Sequence, residues 1–230
     1  MLTVDGLSAW YGAAQALREV SLQVAAGEVV TIVGRNGAGK TTLLRCLMGL
    51  HRQQRGQVTL AGTDLAGMPA HKRARLGLGW VPDDRGTYAT LSVEEHLALP
   101  ARLGPDGWPA ERVYETFPIL RSRRRVSGTQ LSGGEQQILA IARALRSGAR
   151  LLLCDEPTEG LAPVIIERIG EALAEVKRQG GTVLLIEQNV RFASTIADRH
   201  YLLAQGRVVE SLDNAEVRAR ERELLTHLGI

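Results

Sequence analysis

VVTIVGRNGAGKTTLL, residues 29–44, decides the fold. Residues 29–33 are all β-branched, the composition of a buried central strand. Glycines follow at 34, 37 and 39, and a helix is expected over about 39–50. Residues 34–41 satisfy G-x-x-x-x-G-K-[ST], with a strand before and a helix after, the setting that gives this pattern its meaning. The backbone of Gly34, Asn36, Gly37, Ala38 and Gly39 can wrap phosphate oxygens there, because glycine leaves room for a close approach. Lys40 would reach the β- and γ-phosphates, the Thr41 hydroxyl would ligate Mg²⁺, and Thr42 adds a second hydroxyl nearby. A glycine-rich helix entry without any ligand is the competing reading.

Working outward, LTVDGL (2–7) and ALREVSLQV (16–24) read as strands. QVTL (57–60) is a strand, AGTDL a turn with a short extension, 69–76 a short helix and GLGWV (77–81) another strand. From 92 to 127 no strand pattern is evident. SVEEHLALPARL opens on a capping box, Ser92 with Glu95, and the Pro and Gly breaks of GPDGWP separate further helical stretches, so this segment reads as a helical insertion. Then follow a helix to about Ser147, a strand in ARLLLC, and an amphipathic helix over 163–180 ended by Gly180 and Gly181. TVLLIE is a strand, NVRFASTIA a helix and YLLAQGRVVES a hairpin; Val217, Leu224, Leu225 and Leu228 lie at near-helical spacing in the tail. Strands alternating with helices imply an α/β fold, its mainly parallel sheet covered on both faces. The expected division is a single domain, with 1–91 and 128–230 as core and 92–127 as a helical subdomain.

Ligands of such sheets sit beyond the C-terminal strand ends. The glycine loop falls there, and so does Asp155, delivered by the apolar run LLLC. Asp155 would stand beside the Mg²⁺, and Glu156 can orient and deprotonate an attacking water. A structural cap is the alternative for these two acids. A second anion site is suggested by LSGGEQQ (131–137), where Ser132, Gly133 and Gly134 open a helix whose free amides and dipole favour negative charge.

Composition narrows the class. With 230 residues, 44% hydrophobic and 23% charged, the chain is long enough for a real core. No apolar run approaches the ~18 residues that span a bilayer, and the start, MLTVDGLSAW, lacks the pattern of a signal peptide, so a cytosolic location is expected. Cys46 and Cys154 lie in apolar contexts without metal-ligand spacing and read as buried reduced thiols. The net charge is only +3, and the basic run RSRRR (121–125) has no interleaved aromatics, which argues for a solvated or partner-facing surface and against nucleic acid.

In this order and spacing, GRNGAGKTT, LSGGEQQ and LLLCDEP resemble the ATP-binding subunit of ABC transporters, over essentially all of the chain. The resemblance implies a P-loop NTPase core with a mainly parallel sheet, an N-terminal antiparallel β region and a helical subdomain. It implies that two such subunits face head to tail, so that Ser132, Gly133 and Gly134 of one hold the γ-phosphate of ATP bound by the other. Tyr11 of WYG is then the candidate to stack on adenine, an unrelated core or surface tyrosine being the alternative. Asp83, in WVPDDRGTY, takes the place of a glutamine that touches Mg²⁺ and senses the permease. Ala162 stands where the family often has Asp, and Gln188 replaces the switch histidine; it can hydrogen-bond the γ-phosphate but carries no proton, which leaves Glu156 as the base. EGLAP, LIEQN, VPDDRG and the LGI ending look like branched-chain amino acid importers, with urea and amide importers as close neighbours. Two separate permease subunits, a second ABC ATPase subunit and, indirectly, an extracytoplasmic substrate-binding protein are the implied partners. The place of work is the cytoplasmic face of a bacterial or archaeal inner membrane. A soluble ABC-type ATPase acting on ribosomes or DNA, or a non-hydrolysing nucleotide module, are the alternatives.

Overall fold

The computed structural model describes residues 1–101, 103 and 107–228, and side chains as far as 224. Two sheets carry the chain. The first is antiparallel, with β1 (Leu2–Tyr11) between β2 (Ala14–Val24) and β4 (Gln54–Leu60), and the two-residue β5 (Thr63–Asp64) beyond β4. Burial alternates along parts of β1 and β2, as expected where one face is packed and the other wet. β1 runs on to Tyr11, beyond the 2–7 that hydrophobicity marks, because Ala9 and Trp10 find register with β2 across the Gly12–Ala13 turn.

The second sheet is ordered β10-β9-β3-β8-β7-β6. Its parallel members are β3 (Val29–Val33), β6 (Leu78–Val81), β7 (Leu151–Asp155), β8 (Thr182–Glu187) and β9 (Arg199–Ala204); β10 (Arg207–Asp213) returns antiparallel as the expected hairpin. Every residue of β3, β7 and β8 is buried, so alternation disappears from the sequence and survives only in which core each side chain joins. Val30, Ile32, Leu151, Leu153, Leu184 and Ile186 pack with α1 (Lys40–Met48) and the first sheet. Val29, Leu152, Cys154, Val183 and Leu185 pack on the other face, with α6 (Gly133–Ser147) and α7 (Pro163–Arg178). Each such aliphatic side chain contributes about 1.5–3 kcal/mol by leaving water.

The remaining helices are short: α2 (Ala70–Arg75), α3 (Val93–Ala98), α4 (Ala110–Thr116), α5 (Pro118–Ser122), α8 (Val190–Ile196), α9 (Asn214–Ala219) and α10 (Glu221–Leu228). Between β6 and α6 the described residues hold α3, α4, α5 and a single turn of 3₁₀ helix, with one isolated bridge joining Ser92 to Ser127. The Ser92–Glu95 capping box forms as read from the sequence. The Gly104, Pro105 and Asp106 breaks and the final Gly229 and Ile230 lie outside the described residues. In the tail Val217 and Leu224 are buried, while the side chains of Leu225 and Leu228 lie outside the described set. Cys46 and Cys154 are free and buried, and burial pushes both thiols up, away from reactivity. Among the described residues no helix is long and apolar enough to cross a membrane.

Candidate nucleotide site

The ends of β3, β7 and β8 converge at one edge of the second sheet. The strand bearing Asp155 does not neighbour β3; β8 lies between them. Helix α1 closes the gap. The Thr41 hydroxyl, in its first turn, donates to Asp155 Oδ1 at 3.3 Å. Asp155 is fully buried, and its Oδ2 has no hydrogen-bond partner. Burial, reinforced by the negative charge of Asp83, pushes its carboxyl up to about 6. A buried carboxylate with one unpartnered oxygen, a hydroxyl on the other and a second carboxylate close by is a hard-oxygen donor set that suits Mg²⁺.

Lys40 is buried, and its Nζ donates to the carbonyls of Gly34 at 2.8 Å and Arg35 at 3.0 Å. The same ammonium lies 3.0 Å from Glu156 Oε1. Gln188 Nε2 donates to Asn36 Oδ1 at 2.6 Å and to Glu156 Oε2 at 3.1 Å. Residues from the glycine loop, the end of β7 and the end of β8 thus meet on one carboxylate. Glu156 holds a left-handed backbone, φ 46°, which costs a residue with a β-carbon about 1–2 kcal/mol. It also pushes the neighbouring Glu159 carboxyl up by like-charge repulsion.

The three loop glycines differ in what requires them. A β-carbon at Gly34 would lie 2.4 Å from Leu203 O, and one at Gly39 would meet Leu17 Cδ2 at 2.8 Å and Ala16 O at 2.9 Å. Gly37, at φ +79°, faces open space. Two of the three are therefore demanded by packing against β9 and β2, and the third by backbone conformation; the sequence assigns all three to phosphate contact alone. Ala38 is buried, and Thr42 follows Thr41 in the first turn of α1. Tyr11 ends β1 half exposed, with its ring against His51 at 4.7 Å between centroids.

Ser132 is the N-cap of α6, and the structure adds a feature the sequence reading lacks. Ser132 and Glu135 form a capping box: Ser132 Oγ accepts from Glu135 N at 3.4 Å, and Glu135 Oε2 accepts from Ser132 N at 2.7 Å. The helix start is therefore partly closed by its own acid. Among the described residues, the amides of the first turn still without an acceptor are those of Gly133 and Gly134. A β-carbon on Gly133 would stand 3.0 Å from Arg85 Nη1, and one on Gly134 would stand 3.3 Å from Ile165 Cγ1, so side chains at either position would push on Arg85 or on α7. Arg85 lies two residues beyond Asp83, in a loop clamped to α6 by Arg143, whose guanidinium donates to Arg85 O and Gly86 O, both at 2.6 Å. Asp83 itself is exposed. Ala162 is the N-cap of α7 and offers no side-chain cap bond; Pro163 at N1 makes none necessary at the first amide.

Sequence reasoning passed over Glu187, the last residue of β8. It is 2% exposed and accepts from Thr158 and Asn189. Its signal was present: TVLLIE, like LLLCDE, is an apolar strand ending in an acid.

Strand, glycine loop, helix and the converging acids define a phosphate-binding ATPase fold, and comparison with known proteins gives its family. The ABC transporter family model matches residues 17–159. The chain is 44% identical over 212 residues to the high-affinity branched-chain amino acid transport ATP-binding protein BraG of Pseudomonas aeruginosa, covering 91% of each. It is 32% identical over 235 residues to the lipopolysaccharide export system ATP-binding protein LptB of Haemophilus influenzae, covering 100% of this chain and 97% of that one. A solved structure of an ATP-binding subunit of an ABC transporter superposes with a TM-score of 0.82 at 30% identity, over 100% of both chains. The chain belongs to the ABC transporter family and is an ATP-binding subunit of the ATPase type that drives transport.

Proposed function

We propose that this chain energises a branched-chain amino acid importer by hydrolysing ATP at the ends of β3, β7 and β8. The cluster of Lys40, Glu156 and Gln188 carries the chemical half of this reading. Lys40, now spread over two carbonyls and a carboxylate, turns its ammonium to the β- and γ-phosphates when they fill the loop formed by Gly34, Asn36, Gly37, Ala38 and Gly39, with the Thr42 hydroxyl nearby. That releases Glu156 to accept a proton from water. Gln188, already donating to Glu156 and Asn36, keeps the carboxylate oriented and has an amide to offer the γ-phosphate. Thr41, Asp155 and Asp83 are the residues that would hold Mg²⁺, which supplies charge neutralisation at the phosphates when bound. Tyr11 is the adenine platform. Catalysis of this kind is mostly positioning and electrostatics.

Ser132, Gly133 and Gly134 serve the ATP of a second ABC ATPase subunit, and that subunit returns the same service. The helical segment 92–127 acts as a subdomain against the core of 1–91 and 128–230. Between them lies a cleft of about 520 Å³ lined by Trp80, Tyr88, Leu99, Leu103 and Arg143, beside the Asp83 loop; its exposed Tyr88 and Leu99 suit an apolar helix end of one of the two permease subunits, the other meeting the second ATPase subunit. On this reading the chain works on the cytoplasmic face of the inner membrane, with a substrate-binding protein on the other side.

The cargo assignment is supported by the 44% identity to BraG against 32% to the lipopolysaccharide exporter subunit, together with EGLAP, LIEQN and VPDDRG. Uptake of labelled leucine and of urea by cells lacking this chain tests it. Loss of leucine uptake alone is expected; loss of urea uptake with leucine intact contradicts it.

A further inference from the structure

The geometry points to Glu187 as the positioning residue that holds Glu156 and Gln188 in working register, an inference that rests on Glu156 being the base. β7 and β8 run parallel, with Asp155 opposite Ile186. Glu156 N donates to Ile186 O at 3.0 Å, which pins the residue at its left-handed φ of 46° from one side. Two residues on, Thr158 donates both its amide, at 3.2 Å, and its hydroxyl, at 2.7 Å, to Glu187 Oε1. The other carboxylate oxygen, Oε2, accepts from Asn189 N at 3.3 Å. Between Glu187 and Asn189 sits Gln188, whose amide returns to Glu156 Oε2 at 3.1 Å.

These bonds close a ring: from Glu156 along the chain to Thr158, across to Glu187, on to Gln188 and back to Glu156. Glu187 is the most buried member of the ring, at 2% exposure, with its partner Thr158 buried beside it. A buried acid is costly unless its oxygens are used, and burial pushes this carboxyl up to about 7. Its side-chain hydrogen bonds, among the described residues, all go to the two loops that carry Glu156 and Gln188. An apolar residue would fill the same space at the end of β8 but would leave the Thr158 amide and hydroxyl without their acceptor and the strained turn held at one end only. Buried at 2% exposure, Glu187 acts through Glu156 and Gln188.

The test uses the full chain and single-turnover and steady-state ATP hydrolysis for Glu187→Ala and Glu187→Gln, each alone and combined with Glu156→Gln. Glu187→Ala is expected to lower kcat by roughly tenfold or more, with KM for ATP within about twofold of wild type. Glu187→Gln, which keeps an acceptor for Thr158 but sets an amide against Asn189 N, falls between. In the Glu156→Gln chain the Glu187 substitution costs much less than it does alone, because one of the two groups it positions is gone. If Glu187→Ala does not fold, Thr158→Val removes the hydroxyl clamp and carries the same kcat-against-KM reading. A kcat within about twofold of wild type, or an undiminished loss in the Glu156→Gln chain, overturns the inference. Hydrolysis by Glu156→Gln at the wild-type rate overturns the base assignment itself, and this inference with it; an inert Glu156→Gln beside a fully active Glu187→Ala removes only the role of Glu187.

Discussion

The two glycine motifs of this chain present opposite states of one task. At residues 34–41 the charges are spoken for: Lys40 lies on Glu156, Gln188 on Glu156 and Asn36, and Thr41 on Asp155. At residues 131–137 the helix start is capped by its own Glu135, while among the described residues the Gly133 and Gly134 amides have no bonded acceptor and Ser132 is exposed. On the reading proposed above, the first region holds the reacting groups. The second can hold an anion and do nothing to it. On the proposed reading, one is a reaction centre and the other a lid for the ATP of a second subunit.

The comparison breaks first at Lys40. Lys40→Ala removes the cation that meets the phosphates and leaves Glu156 without its partner; a loss of hydrolysis of at least ~100-fold with weakened nucleotide binding is expected in a steady-state assay. Normal turnover would remove the reaction centre from residues 34–41. Next, Glu156→Gln should retain ATP binding and lose hydrolysis by roughly 10²–10⁴-fold, accumulating an ATP-bound dimer in size-exclusion chromatography. Cleavage near the wild-type rate would exclude Glu156 as the base. Ser132→Arg sharpens the contrast between the two motifs: hydrolysis stops while ATP affinity of the isolated monomer, read by calorimetry, stays unchanged. A large fall in monomer affinity would mean that the second motif serves its own chain's nucleotide.

The smallest effect concerns pH. Burial raises the Glu187 carboxyl from its ordinary 4.5 to about 7, with the charge of Glu156 adding to the rise. The folded chain then binds more protons than the unfolded chain between those values, so this group's contribution to stability is full below about 4.5 and declines as pH rises through 7. Chemical denaturation of the ligand-free chain across this range should show stability falling by on the order of 1–3 kcal/mol from this group, and Glu187→Gln should flatten that part of the slope. An unchanged slope would mean that Glu187 keeps its charge throughout.

Much of this was legible in sequence because the informative residues sit where strands end. VVTIV, LLLC and TVLLIE are apolar enough to fix their own burial, and the residues that follow them, Gly34, Asp155 and Gln188, are thereby placed at the edge of the sheet. Strand order was not legible, since nothing in VVTIV or LLLC says that TVLLIE lies between them. The extent of β1 was missed for the same reason: Ser8, Ala9 and Trp10 carry no pattern, and their pairing with β2 and β4 is a tertiary matter. Gly34 and Gly39 show how a motif hides its causes, because each is required by contacts with residues far away in sequence. Glu187 was overlooked since an acid at a strand end reads as solvent-facing, and only the loop folded over it makes it buried.

The central claim is that neither motif completes a reaction within one chain. It is tested most directly by the specific ATPase activity of the full chain as a function of its own concentration, with ATP saturating throughout. The two-subunit account predicts that activity per chain falls towards zero on dilution. Activity per chain that stays constant down to the lowest concentration would contradict it.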